Sequence, residues 1–245
     1  MDTTWLAQQL RGRTENLAAL AVTGDPAATV PTCPQWTLRV LVGHIGQAHR
    51  WAAEIARTGE AAAVPDPHTA DPGEVDHWRD WLIEGAAELV TAVRAEAPVW
   101  TFLGPRPASF WLRRMLHDAV VHHLDIGRTV GTVVEVDPVL AADGISEVLE
   151  LLTAPGAEAV KPALAELRGS GQTIAVQATD CATGWRISLT PKGIRLDDSG
   201  APADATVTGS AQELLTVFTG RSAVDSVVVR GDRALVEHWL AHTAL

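Results

Sequence analysis

Two histidines and an aspartate are the residues of this chain whose types and spacing suggest chemistry. Asp118 and His122 stand four apart in the stretch SFWLRRMLHDAVVHHLDIGRTVG, residues 109–131, which has no proline. Trp111, Met115, Asp118, His122, Asp125 and Thr129 recur there at steps of three and four, which predicts one face of a helix. Ser109 is the expected N-cap, and Gly131 closes the segment. Residues four apart on a helix hold their Cβ atoms about 5–6 Å apart. A carboxylate and an imidazole so placed can grip one metal ion, although the same spacing also makes a plain ion pair at a bundle edge.

His44 supplies a third partner. On the helix predicted around it, Leu41, His44, Ala48, Trp51 and Ile55 share the apolar face, so the imidazole points into a core. Uncompensated charge is costly there, and one buried metal ion would account for all three side chains. Facing helices of bundles commonly build such sites. Two imidazoles and a carboxylate suit a divalent first-row ion, zinc by default, and three protein ligands leave the open position of a catalytic site. Asp125, nearly one turn beyond His122, is placed to orient an imidazole.

Helical periodicity positions these residues. Helices are predicted over 3–23, 37–59, 74–97, 109–131 and 137–152, with Thr37 capping the second and Asp137-Pro138 starting the fifth. Residues 60–73 and 98–108 are proline-bearing loops. From Gln172 the hydrophobic period becomes two, through Ile174, Val176, Trp185, Ile187, Leu189, Ile194 and Leu196, which predicts an antiparallel meander. Short strands at 205–208 and 226–230 and helices at 210–219 and 232–242 complete the chain. The expected fold is therefore α plus α+β: a four-helix bundle with an extra helix over residues 1–153, then a small α+β domain with an antiparallel sheet over 154–245.

Composition narrows the function. Net charge is −11, with the acids spread along the chain, so nucleic acid and anionic membrane are disfavoured partners. No apolar run approaches the roughly 18 residues of a membrane span, and MDTTWLAQQL lacks the basic and apolar regions of an export signal, so a cytoplasmic protein is expected. Nothing in the pattern demands assembly, and a monomer is expected. Cys33 and Cys181 form no CxxC and read as small reduced core residues. His117 and His123 fall on other faces of the central helix, while His49, His68, His77, His238 and His242 read as surface or packing residues. Trp51 and Trp111 are candidates to line a cavity above the metal. The absence of GxGxxG, P-loop, HExxH and GxSxG motifs removes support for dinucleotide, NTP and common hydrolase chemistry.

The chain resembles the mycothiol-dependent maleylpyruvate isomerase family. The resemblance rests on Trp36-Thr37 followed by Leu41-Val42-Gly43-His44, on the run from Arg114 through Asp118, His122 and His123 to Asp125, and on the C-terminal region with Gly220-Arg221. It implies a DinB-like metal-binding bundle followed by a sterol-carrier-like domain, with His44, Asp118 and His122 binding one zinc. It also implies mycothiol as thiol cosubstrate and an electrophilic small molecule as substrate. The zinc-held thiolate would add to the electrophile, with isomerisation or S-transfer decided by the fate of the adduct. Arg221 would bind a substrate carboxylate, as guanidinium groups do. Two positions depart from the family pattern. Its usual acid is Glu, whereas Asp118 is shorter by about 1.5 Å, one carbon–carbon bond; a zinc–oxygen bond of about 2.0–2.2 Å then requires a closer helix or an intervening water. Its usual Arg after the ligand His is here His123. Two other readings keep the bundle: a zinc lyase, cyclase or hydrolase using metal-bound water without thiol, and a metal-free protein binding a small apolar molecule.

Overall fold

The computed structural model describes residues 2–93, 97–197 and 201–243. The chain divides into two compact units, Met1–Val134 and Glu135–Leu245.

The first unit is built on four helices: α1 (Thr3–Ala21), α2 (Leu38–Thr58), α3 (Trp78–Ala92) and α4 (Ser109–Val130). Helix α1 packs on α3 and α4, and α2 packs on the same two. Leu10, Leu17, Leu41, Ile45, Leu82, Leu89 and Leu116 are wholly buried between them, each worth about 1.5–3 kcal/mol relative to exposure. The Thr37 hydroxyl accepts from Val40 N at 3.4 Å and so caps α2 as expected. Gly59 and Gly131 end α2 and α4 with φ of 76° and 73°, a left-handed conformation that costs glycine nothing. The expected Ser109 cap is not made: Ser109 is the first helical residue, and no side chain caps α4. The expected third helix begins later, at Trp78, after a 3₁₀ turn at Val75–His77. Part of its expected C-terminal end, residues 94–96, lies outside the described residues.

Two short hairpins precede helices of the bundle. Strands β1 (Thr29–Val30) and β2 (Cys33–Thr37) pair ahead of α2, and β3 (Pro98–Val99) pairs with β4 (Arg106–Pro107) ahead of α4. Glycines set how closely α3 approaches α2. A Cβ at Gly46 would lie 2.1 Å from Trp81 Nε1. That indole instead donates to Val42 O at 3.3 Å, and the Arg50 guanidinium lies 3.9 Å from its ring. Helix α2 is thereby fixed against α3 beside His44.

The second unit contains α5 (Pro138–Leu152), the single turn α6 (Ala157–Val160), strands β5 (Gln172–Ala178), β6 (Gly184–Thr190), β7 (Gly193–Leu196) and β8 (Ala205–Gly209), helix α7 (Ala211–Phe218), β9 (Val228–Gly231) and α8 (Arg233–Thr243). The sheet order is β7-β6-β5-β8-β9. All pairs are antiparallel except β5 with β8, which run parallel with Val176 opposite Val207. Ile174, Val176, Ile187 and Val207 are fully buried, the alternation read from the sequence. The compact unit also takes in α5, which packs on α7, so the division falls at 134/135 rather than the expected 153/154. An apolar helix face shows that a helix is packed, not on which neighbour. Cys33 and Cys181 are free thiols, and both are half-buried rather than core residues.

His49, on α2, is 1 % exposed, and burial pushes its pKa from 6.5 down to about 4. The unfolded chain therefore takes up this proton first. Its contribution to stability is intact above pH 6.5 and is lost as pH falls toward 4, at no more than about 1.4 kcal/mol per pH unit. Chemical denaturation between pH 7 and 4 is expected to show a shallower acid decline for His49→Leu than for the parent.

Candidate metal centre

Helix α4 is long enough to carry Asp118, His122 and Asp125 on successive turns. Asp118 and His122 project from one of its faces, and α2, packed alongside, brings His44 to them. Asp118 Oδ2 lies 3.9 Å from His44 Nε2 and 3.7 Å from His122 Nε2. One donor atom from each of the three residues falls within 4.8 Å of the others. Ligands held at about 2.0–2.2 Å from a tetrahedral ion sit about 3.3–3.6 Å apart. Small side-chain rotations toward a common centre would close that difference, so the residues fit the ion. The shorter Asp118 side chain comes within 3.9 Å of both imidazole Nε2 atoms, His122 from its own helix and His44 from α2.

Each ligand's other atoms show how it is held. Arg114, one turn before Asp118, donates from Nη2 to Asp118 Oδ1 at 2.9 Å, leaving Oδ2 turned toward the imidazoles. Burial alone would raise the Asp118 pKa. The attraction of His122, Arg114 and His44 outweighs it and holds the carboxyl well below the usual carboxylate range. The acid is thus ionised, the state a metal requires. His44 moves the other way. Burial pushes its pKa down to about 4, His122 and Arg114 add to that, and Asp118 opposes them. It is a neutral imidazole at physiological pH, with no proton for an incoming ion to displace.

His122 is braced from behind. Its Nδ1 lies 2.9 Å from Asp125 Oδ2, and Asp125 is 0 % exposed. Asp125 accepts from Thr32 through its other oxygen; with its Oδ2 accepting as well, Nδ1 carries the proton and Nε2 presents its lone pair toward the site. Thr32, in the β1–β2 turn, donates to the other Asp125 oxygen at 2.6 Å. The same hairpin carries Trp36, whose ring lies 4.9 Å from that of His44 and 6.1 Å from that of His122. The two imidazoles meet edge to face at 5.2 Å. His44 Nδ1 is buried and has no hydrogen-bond partner among the described residues, so Trp36 packing rather than a polar brace orients that ring. The His44 and Asp118 side chains keep 23 % and 19 % exposure, which leaves the cluster open to a further ligand.

Other candidates lie elsewhere. His117 and His123 are buried off this face, and His123 Nδ1 accepts from Arg13 Nη1 at 3.1 Å. Burial, then Arg13, lowers its pKa to about 4. Trp51 and Trp111, expected above the metal, join Trp100 and Phe102 in an aromatic cluster in which the Trp111 indole donates to Trp100 O. A groove of about 920 Å³ between α2 and α3 is lined by Arg57, Glu84, Glu88 and Val99 and by none of the three ligands. Arg221 follows α7 in the second unit, where it donates to Thr219 O at 2.7 Å. Sequence reasoning assigned no site role to Arg114, Thr32 or Trp36. The Arg114–Asp118 spacing of four was a readable signal; Thr32 meets Asp125 across 93 residues, and no local pattern foretells that.

Comparison with known proteins agrees with this architecture. Residues 7–127 match the model of the mycothiol maleylpyruvate isomerase N-terminal domain, and residues 139–238 match the model of the C-terminal domain of the same family. No match was found among curated proteins. Among solved structures, a mycothiol-dependent maleylpyruvate isomerase aligns at a TM-score of 0.62 and 16% identity, over 94% of this chain and 93% of that one. A histidine-to-alanine mutant of such an isomerase aligns at a TM-score of 0.58, with the same identity and coverage. At 16% identity these likenesses speak for the fold. Matched along nearly its whole length by the two domain models, the chain belongs to the mycothiol maleylpyruvate isomerase family.

Proposed function

We propose that this protein is a zinc-dependent, thiol-using enzyme, an isomerase or S-transferase that takes mycothiol as cosubstrate and an electrophilic small molecule as substrate. The observation that carries the reading is the convergence of His44, Asp118 and His122 on one point with a side left open. When bound there, zinc supplies Lewis acidity, which lowers the pKa of a thiol from its ordinary value near 8.5 so that it reacts as a thiolate.

The chain's own residues prepare for that chemistry. Neutral His44 and Nδ1-protonated His122 offer lone pairs, and ionised Asp118 offers the single negative charge. Arg114 occupies one Asp118 oxygen, which favours a one-oxygen contact with the ion. Trp36 provides an apolar wall beside both imidazoles, excluding water from one side. Arg221 is proposed to bind a substrate carboxylate, on the strength of its guanidinium and the Gly220-Arg221 motif. A cytoplasmic location and a monomeric state complete the reading. Among the described residues no helix is long and apolar enough to cross a membrane, and the net charge of −11 argues against nucleic-acid partners.

Elemental analysis of the purified protein is expected to find about one zinc per chain, as a three-ligand site predicts. His44→Ala and His122→Ala are each expected to retain less than about a tenth of it. A parent without zinc after supplementation at neutral pH would rule the mechanism out. Asp125→Asn is expected to weaken zinc binding about 10- to 100-fold by loosening His122, measured against a chromophoric chelator. Turnover of electrophiles is expected only with added thiol; thiol-independent turnover by the zinc form would instead favour metal-bound water.

A further inference from the structure

The Asp125 carboxylate is fully buried, and its two oxygens are used in opposite directions. One faces His122 Nδ1 at 2.9 Å and the other receives the Thr32 hydroxyl at 2.6 Å. Thr32 lies outside α4 altogether, in the turn between β1 and β2. Its hydroxyl is a side-chain donor with a fixed, short contact to a group that cannot reach solvent.

We propose that Thr32 is a positioning residue for the metal centre: its hydroxyl locks the Asp125 carboxylate in the rotamer that holds His122 with Nδ1 protonated and Nε2 facing His44 and Asp118. This rests on the metal-centre reading of those three residues. A carboxylate on a helix can rotate about two bonds, and the Thr32 hydroxyl meets the oxygen turned away from His122 in the rotamer seen here. Burying that oxygen without a donor costs about 1–3 kcal/mol, more for a charged group. The Thr32 contact favours that rotamer. The hydroxyl also ties the hairpin to α4. Trp36, four residues further along that hairpin, is carried beside the His44 and His122 rings by the same link.

The test uses the full chain with zinc alone as the probe, competed against a chromophoric chelator. Thr32→Val keeps the side-chain shape and removes the donor; Thr32→Ser keeps the donor. Thr32→Val is expected to weaken zinc binding about 3- to 10-fold, less than loss of a group that touches the imidazole directly, and Thr32→Ser is expected to stay within about 2-fold of the parent. In an Asp125→Asn background, Thr32→Val is expected to cost nothing further, because its effect passes through the carboxylate. Should the Val variant disturb the hairpin, Thr32→Ala carries the same comparison. A metal-independent arm records ¹⁵N NMR of the His122 ring in metal-free protein. The Nδ1–H form is expected to dominate in the parent and in Thr32→Ser, with a mixture of tautomers in Thr32→Val. Equal zinc affinity and an unchanged tautomer in Thr32→Val would overturn the proposal, as would an equal loss in the Asp125→Asn background. A parent that binds no zinc would remove the metal reading, and the tautomer comparison would still decide whether Thr32 sets the His122 ring.

Discussion

A carboxylate shared between a guanidinium and two imidazoles is the interaction on which the first unit's site depends. Asp118 is mostly buried, and an ionised acid there is stabilised by the Arg114 guanidinium, which donates to Oδ1 and leaves Oδ2 facing the two imidazoles. Arg114 comes from the same helix one turn away, so that contact is secured as soon as α4 forms. The imidazole of His44 comes from α2 and arrives only with tertiary packing. The site is therefore half local and half long-range, and the long-range half depends on how closely α2 and α4 approach.

Side chains with no chemical role hold α2 from its other neighbour, α3. Gly46 lets the Trp81 indole lie directly on α2, and the Arg50 guanidinium stacks over the same indole. Leu41 and Ile45, which flank His44 in the chain, are wholly buried. The helix carrying His44 thus has little freedom to rotate or slide. A rigid backbone suits the proposed metal centre, since a three-ligand site tolerates errors of only a few tenths of an ångström.

The two imidazoles are held by different physics. His122 has a polar brace through Asp125 to Thr32, which fixes both its tautomer and its direction. His44 is packed against Trp36, and its buried Nδ1 has no partner among the described residues. Hydrogen bonding determines which nitrogen of His122 faces the site, whereas ring packing limits where His44 can go. One hairpin, β1–β2, supplies the key residue in both cases. This short segment, with Pro31 and Pro34 in it, is in effect the outer frame of the site.

By itself the sequence determined what depends on local periodicity and local chemistry. The α4 stripe placed Asp118, His122 and Asp125 together because positions three and four apart on a helix share a face. The α2 stripe placed His44 inward, and period two marked the buried strand residues of the second unit. Only the tertiary structure decided which faces meet. It set α5 with α7 instead of with the bundle, ran β8 parallel to β5, sent His123 to Arg13, and brought Thr32 to Asp125 across 93 residues. The reason is common to all four. Periodicity reports that a face is buried, while the partner that buries it is chosen by shape and by pairing of polar groups between segments distant in the chain.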